Sequence, residues 1–125
     1  MSLSNYAEEL FLNHVFNTGQ TTPAAHYLSL HTANPDEDAS GTEVSGGGYA
    51  RQATAFTVSG NTASNTSAEE WPVATAGYGT VVAVGIFDAS SGGNLLAYAN
   101  LTANKTIDTG DVFRIPAGDL DITLD

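Results

Sequence analysis

A mainly β chain is predicted, folded as a jelly-roll-like antiparallel β-sandwich behind one N-terminal α-helix. Three observations predict it. After Pro23 the sequence breaks into short β-type runs separated by Gly, Asn, Asp and Ser clusters. Helical periodicity is confined to residues 4–17. The 125 residues show no repeat period, and 42% hydrophobic content suffices for one core. The expectation is a single domain over 1–125, with the helix at 4–17 and the sandwich over 24–125.

In the helix, Ser4 is the expected N-cap, Glu8 and Glu9 occupy the early turns, and Gly19 lies just past the end. Ala7, Leu10, Phe11 and His14 recur at helical spacing, and Leu12, Val15 and Phe16 widen the apolar face. Such a helix is expected to be sandwiched between the sheet and something else, such as a neighbouring subunit.

Strands are expected at 25–32, 50–58, 62–65, 68–74, 80–88, 94–102, 105–107, 111–116 and 119–124. The run Val81-Val82-Ala83-Val84-Gly85-Ile86-Phe87 is apolar on both faces, as a central strand covered on two sides would be. Asp88 to Asn94 has the composition of a hairpin loop leading into Leu95–Leu101. At the end of the chain Leu120, Ile122 and Leu124 alternate with Asp119, Asp121, Thr123 and Asp125, giving one buried and one wet face. An immunoglobulin-like sandwich would have similar spacing.

Fourteen acidic residues against three basic ones give a formal charge of −11. That charge repels phosphate polyanions and anionic lipid surfaces, so neither nucleic acid nor membrane is an expected partner. The absence of cysteine removes disulfides, thiolate nucleophiles and cysteine zinc sites together. No signal-peptide pattern and no long apolar run occur, so secretion by the general route and membrane insertion are not expected.

Asp36, Asp38, Ser40 and Gly41 fit the first positions of a calcium-binding EF-hand loop, but its twelfth position falls on Gly47 instead of a glutamate. What remains is a looser calcium candidate using Asp36, Asp38 and Glu43, set against a solvated turn opened by Asn34-Pro35. His26 and His31 lie five apart on one strand and face opposite ways. A shared transition metal would therefore need one histidine repeated around a trimer axis. Adjacent Glu69 and Glu70 likewise point apart and cannot flank one glycosidic bond. No serine sits in a nucleophile elbow, and neither enzymatic activity nor a cofactor is expected.

Gly46-Gly47-Gly48 lacks the Lys-Ser/Thr ending of a phosphate-binding loop. Its expected use is conformational, allowing positive φ and close backbone approach ahead of Tyr49 and Arg51. Arg51 and Arg114 are expected to pair with carboxylates, internally or across a subunit boundary. Trp71 and Tyr98 are assigned to the core, whereas Tyr78, between two glycines, is a candidate for facing a partner or stacking on a sugar.

The segments Leu28 to Asp36, Thr42-Glu43-Val44-Ser45-Gly46-Gly47-Gly48-Tyr49-Ala50-Arg51-Gln52 and Val84-Gly85-Ile86-Phe87-Asp88-Ala89 resemble a family of small bacteriophage virion proteins often labelled tail fibre proteins. The resemblance runs from Tyr6 to Leu124. It implies a virion part made in the host cytoplasm, non-enzymatic and oligomeric, with a trimer favoured, that contacts other virion proteins or a host surface receptor. The interface residues that fit this implication are Leu12, Val15, Phe16, Arg51, Tyr78 and Arg114. Two alternatives stand beside it: a capsid decoration protein that stabilises the head, and a small glycan-binding domain using Tyr78.

Overall fold

The computed structural model describes residues 1–124. Its order is β1 (Ser2–Leu3), α1 (Asn5–Phe16), β2 (His26–His31), β3 (Gln52–Thr54), β4 (Phe56–Ser59), β5 (Thr62–Asn65), β6 (Glu69–Glu70), β7 (Gly79–Phe87), β8 (Leu95–Ile107), β9 (Arg114–Ile115) and β10 (Asp121–Thr123). These strands form a five-stranded sheet β1-β8-β7-β2-β3, a three-stranded sheet β10-β5-β4 and a pair β6-β9. Every pairing is antiparallel. The mainly β class with one N-terminal helix is thus what forms, divided into five, three and two strands.

Central placement of β7 follows from its sequence. It lies between β2 and β8, and Val81, Ala83, Val84, Gly85, Ile86 and Phe87 are all buried. Val84 and Ile86 face a cluster with Leu28, Leu30, Trp71, Ala97, Phe113, Ile115 and Leu120. Burying each such aliphatic or aromatic side chain contributes about 1.5–3 kcal/mol, so this cluster dominates the stability of the sheet. The opposite face is tight, with Ser29 and His31 set among Leu95 and Phe87. A Cβ at Gly85 would lie 2.8 Å from Ser29 Oγ and 3.0 Å from His31 Nε2, so only glycine lets those two side chains cross β7.

Several expected elements change at their edges. The run 50–58 divides at Ala55, whose carbonyl turns away to accept from Thr66 N at 2.9 Å, so β3 joins one sheet and β4 another. The separate strands expected at 94–102 and 105–107 are one long β8, but their separation survives as a register break. Val81 pairs with Lys105 and Ala83 with Asn100, so two steps along β7 are matched by five along β8. β6 and β9 are only two residues each. Pro72 and Pro116, which have no N–H to donate, follow them closely. Trp71 N–Phe113 O at 2.9 Å and Ala74 N–Asp111 O at 3.0 Å carry the contact onward without regular ladder geometry. β1 has no counterpart in the sequence reading, because two residues carry no periodicity. At the far end Leu120 is buried and Leu124 exposed, while Asp125 lies outside the described residues.

Helix α1 starts as expected. Ser4 is the N-cap, and its hydroxyl accepts from Ala7 N at 3.2 Å while donating to the Leu95 carbonyl of β8. One residue therefore both starts the helix and ties it to β8. Its end comes at Asn17, whose N–H bonds to Asn13 O, two residues before Gly19.

Candidate interaction surface

The guanidinium of Arg51 gathers three distant segments. Its Nε and Nη2 donate to the two Glu43 oxygens at 2.8 and 2.7 Å, and Nη1 donates to the carbonyls of Ala89 and Gly92, both at 2.8 Å. The plane lies over the Phe87 ring, 3.7 Å from its centroid. Glu43 Oε1 also accepts from the Tyr49 hydroxyl at 2.8 Å, and that hydroxyl accepts from Leu30 N at 3.0 Å. Burial alone would push the Glu43 carboxyl up, but the Arg51 and Tyr49 hydrogen bonds outweigh it and hold the carboxyl below its ordinary range. Burial, aided by the Glu43 carboxylate, pushes the Tyr49 hydroxyl far above its ordinary value. Arg51 is therefore committed inside the molecule, and the side chain is only 7% exposed. As an interface residue it is corrected to an internal clamp on the Asp88–Asn94 loop.

The same clamp holds Glu43, one of the three residues of the loose calcium candidate. Glu43 faces Arg51, whereas Asp36 Oδ1 accepts from Glu37 N and Asp38 Oδ1 from Ser40 N within a solvent-facing turn. No group of metal-holding side chains assembles among the described residues. The turn is opened by Asn34, whose Oδ1 accepts from Asp36 N at 2.7 Å.

Tyr78 is also corrected. It is 5% exposed, packed edge-on against Tyr49 with centroids 5.7 Å apart, and its hydroxyl donates to the Pro72 carbonyl at 3.1 Å. The flanking glycines bend the chain inward, because Gly79 takes φ 83 and leads directly into β7. The ring is therefore turned into the molecule and not toward solvent. Trp71 is in the core at 1% exposure, set against Phe113 at 5.4 Å, whereas Tyr98 is only half-buried.

Gly46, Gly47 and Gly48 all have positive φ, at 77, 63 and 80. A Cβ at Gly47 would lie 2.4 Å from the Ala76 carbonyl oxygen, so the triplet supplies both positive φ and close approach. His31 is buried, with Nε2 2.8 Å from Ser29 Oγ and the ring stacked on Phe87. His26 is half-buried against Phe56. His14 is exposed, and its Nδ1 accepts from Gln20 N at 2.9 Å.

Of the residues expected at an interface, Leu12, Val15 and Phe16 on α1 and Arg114 on β9 are exposed. No residue of the helix is fully buried; Ala7 and Leu10 are half-buried and border a cleft shared with Gln20, Thr21, Thr22 and Pro23. Glu8, Phe11, Leu12, Val15 and Phe16 are exposed at spacings i, i+3, i+4, i+7 and i+8, which is one continuous outward stripe. Leu12 is 54% exposed, Val15 51% and Phe16 78%, and Phe11 joins them instead of facing the sheet. An amphipathic pattern could not place Phe11, because it stands at the border between the two faces. Arg114 is exposed on β9, with Glu70 as its cross-strand neighbour.

Among the described residues no helix is long and apolar enough to cross a membrane. A family model described as Podophage GP4 fiber I protein gp80 matches residues 2–123. No curated protein matches the chain.

Proposed function

The chain belongs to the podophage GP4 fiber I protein gp80 family, and from that premise we propose that it is a non-enzymatic structural subunit of a phage fibre, assembled as an oligomer with a trimer favoured. The observation that carries the oligomeric part is the outward stripe of α1. Four large apolar side chains within six residues face solvent on a helix that has no buried residue of its own. Water-facing aromatic and aliphatic groups concentrated in this way are usual on surfaces that meet another protein. Neighbouring virion proteins or a host surface receptor are the further partners of such a subunit.

Immunogold electron microscopy of intact phage, with antibody against this chain, tests the placement. Label along or at the tip of a tail-attached fibre is expected. Label distributed over the head would overturn the fibre placement in favour of a capsid decoration protein.

A further inference from the structure

Of the three histidines only His31 is buried, at 2% exposure. Its Nε2 is taken by the Ser29 hydroxyl at 2.8 Å, whereas its Nδ1 is buried without a hydrogen-bond partner. A neutral ring tolerates that setting, because Nδ1 can remain a bare lone pair while Nε2–H donates to Ser29 Oγ. An imidazolium would carry N–H on both nitrogens, and the one at Nδ1 would meet no acceptor. Gly85 backs the ring closely, since a Cβ there would lie 3.0 Å from Nε2.

The same ring borders the Arg51 clamp. It stacks on Phe87 with centroids 6.2 Å apart, and the Arg51 guanidinium lies 3.7 Å from the centroid of that phenyl ring. His31 also forms a backbone bridge with Glu43, the residue that holds Arg51 Nε and Nη2. Around it β7 contributes Gly85 and Phe87, and β8 Leu95, none of which titrates. The charged groups that act on His31 are therefore Glu43 and Arg51. Tyr49, bonded to Glu43, stays neutral, and Asp88 is spent on the backbone and side-chain nitrogens of Asn94. A proton on His31 would thus place a second cation at the Phe87 ring and set it against Arg51 for one carboxylate.

We propose that His31 is an acid-operated latch: a proton taken up at Nδ1 displaces the ring and Phe87 from Arg51, and the guanidinium then releases the Ala89 and Gly92 carbonyls and frees the Asp88–Asn94 loop. Opening is local, because Val84 and Ile86 lie on the other face of β7 and keep their packing. The latch lies within one copy and does not depend on the oligomeric reading.

The chain has no cysteine, so Ser91→Cys, exposed in that loop, carries a single spin label. Electron paramagnetic resonance from about pH 8 to about pH 5 spans histidine titration and stays above the range in which Glu43 takes up a proton. The label is expected to be immobile at neutral pH. Below 6.5 its ratio of mobile to immobile signal should rise by up to about tenfold per pH unit, the limit for one proton gained on opening, with far-UV circular dichroism unchanged. His31→Gln should keep the label immobile across the range, and Arg51→Met should leave it mobile throughout. A label that stays immobile in the wild-type background, or loosens alike in His31→Gln, would overturn the latch. So would an immobile label in Arg51→Met, since the clamp would then not be what holds the loop. Should His31→Gln fail to fold, nuclear magnetic resonance of the wild-type imidazole replaces it: His31 must titrate in step with the label, and a ring that stays neutral while the label loosens refutes the proposal equally.

Discussion

Arg51 makes four hydrogen bonds and a ring contact, so its loss strands several groups at once. Arg51→Met would leave the Glu43 carboxylate without its cation and the Ala89 and Gly92 carbonyls without donors. Breaking a buried ion pair from one side costs about 3–5 kcal/mol, and chemical denaturation should show a loss near the lower figure, since Glu43 retains some solvent contact. A loss under about 1 kcal/mol would place the pair among ordinary surface bridges. His31 makes a second residue-scale prediction. Burial lowers its pKa from 6.5, with Arg51 acting in the same direction and Glu43 against it. The fold therefore prefers the neutral ring. The stability this contributes is complete above 6.5 and is lost as pH falls from there through the folded value. Glu43, held below 4.5, loses its contribution at lower pH still. Melting temperature should thus begin to fall in mildly acidic buffer, and His31→Gln, which cannot gain the proton, should flatten that first part of the decline. An unchanged profile in the variant would remove His31 from the acid response.

At the scale of elements, β7 and α1 contrast two ways of using apolar residues. β7 is closed on both faces, and Ile86→Ala should cost about 2–5 kcal/mol by deleting buried methyl groups and leaving a cavity. Phe16 is larger, yet at 78% exposure its replacement by serine should move stability by no more than about 0.5 kcal/mol. Urea unfolding of the two variants side by side checks the contrast. A large loss for Phe16→Ser would mean that the helix packs on its own sheet more tightly than its exposure allows. The tie between Ser4 and the Leu95 carbonyl shows why α1 stays attached while offering so little buried surface, since its start is fixed to β8 by a side chain.

On the scale of the molecule, charge governs behaviour in solution. At neutral pH a formal charge of −11 makes copies of the chain repel one another. Near the isoelectric point of about 4.2 that repulsion vanishes, in the same acidic range where the Glu43 clamp weakens. Turbidity against pH should therefore peak close to pH 4.2 and clear again on return to neutral buffer; a protein clear throughout would show that net charge does not control its association.

The sequence by itself determined the class of the fold, the central position of β7, the start of α1 and the conformational use of Gly46–Gly48. Those features are local: alternation, a cap, and positive φ values that favour glycine report on their own few residues. The partners of Arg51, the inward turn of Tyr78 and the outward placement of Phe11 were decided by the tertiary structure alone. Each depends on segments that meet only in the folded chain, as when Arg51 draws Glu43 and Ala89 together, and the spacing of residues along a chain does not encode which distant side chain will arrive opposite. The two-residue strands β1, β6 and β9 belong to the same group, because elements that short are defined by their partners and not by any pattern of their own.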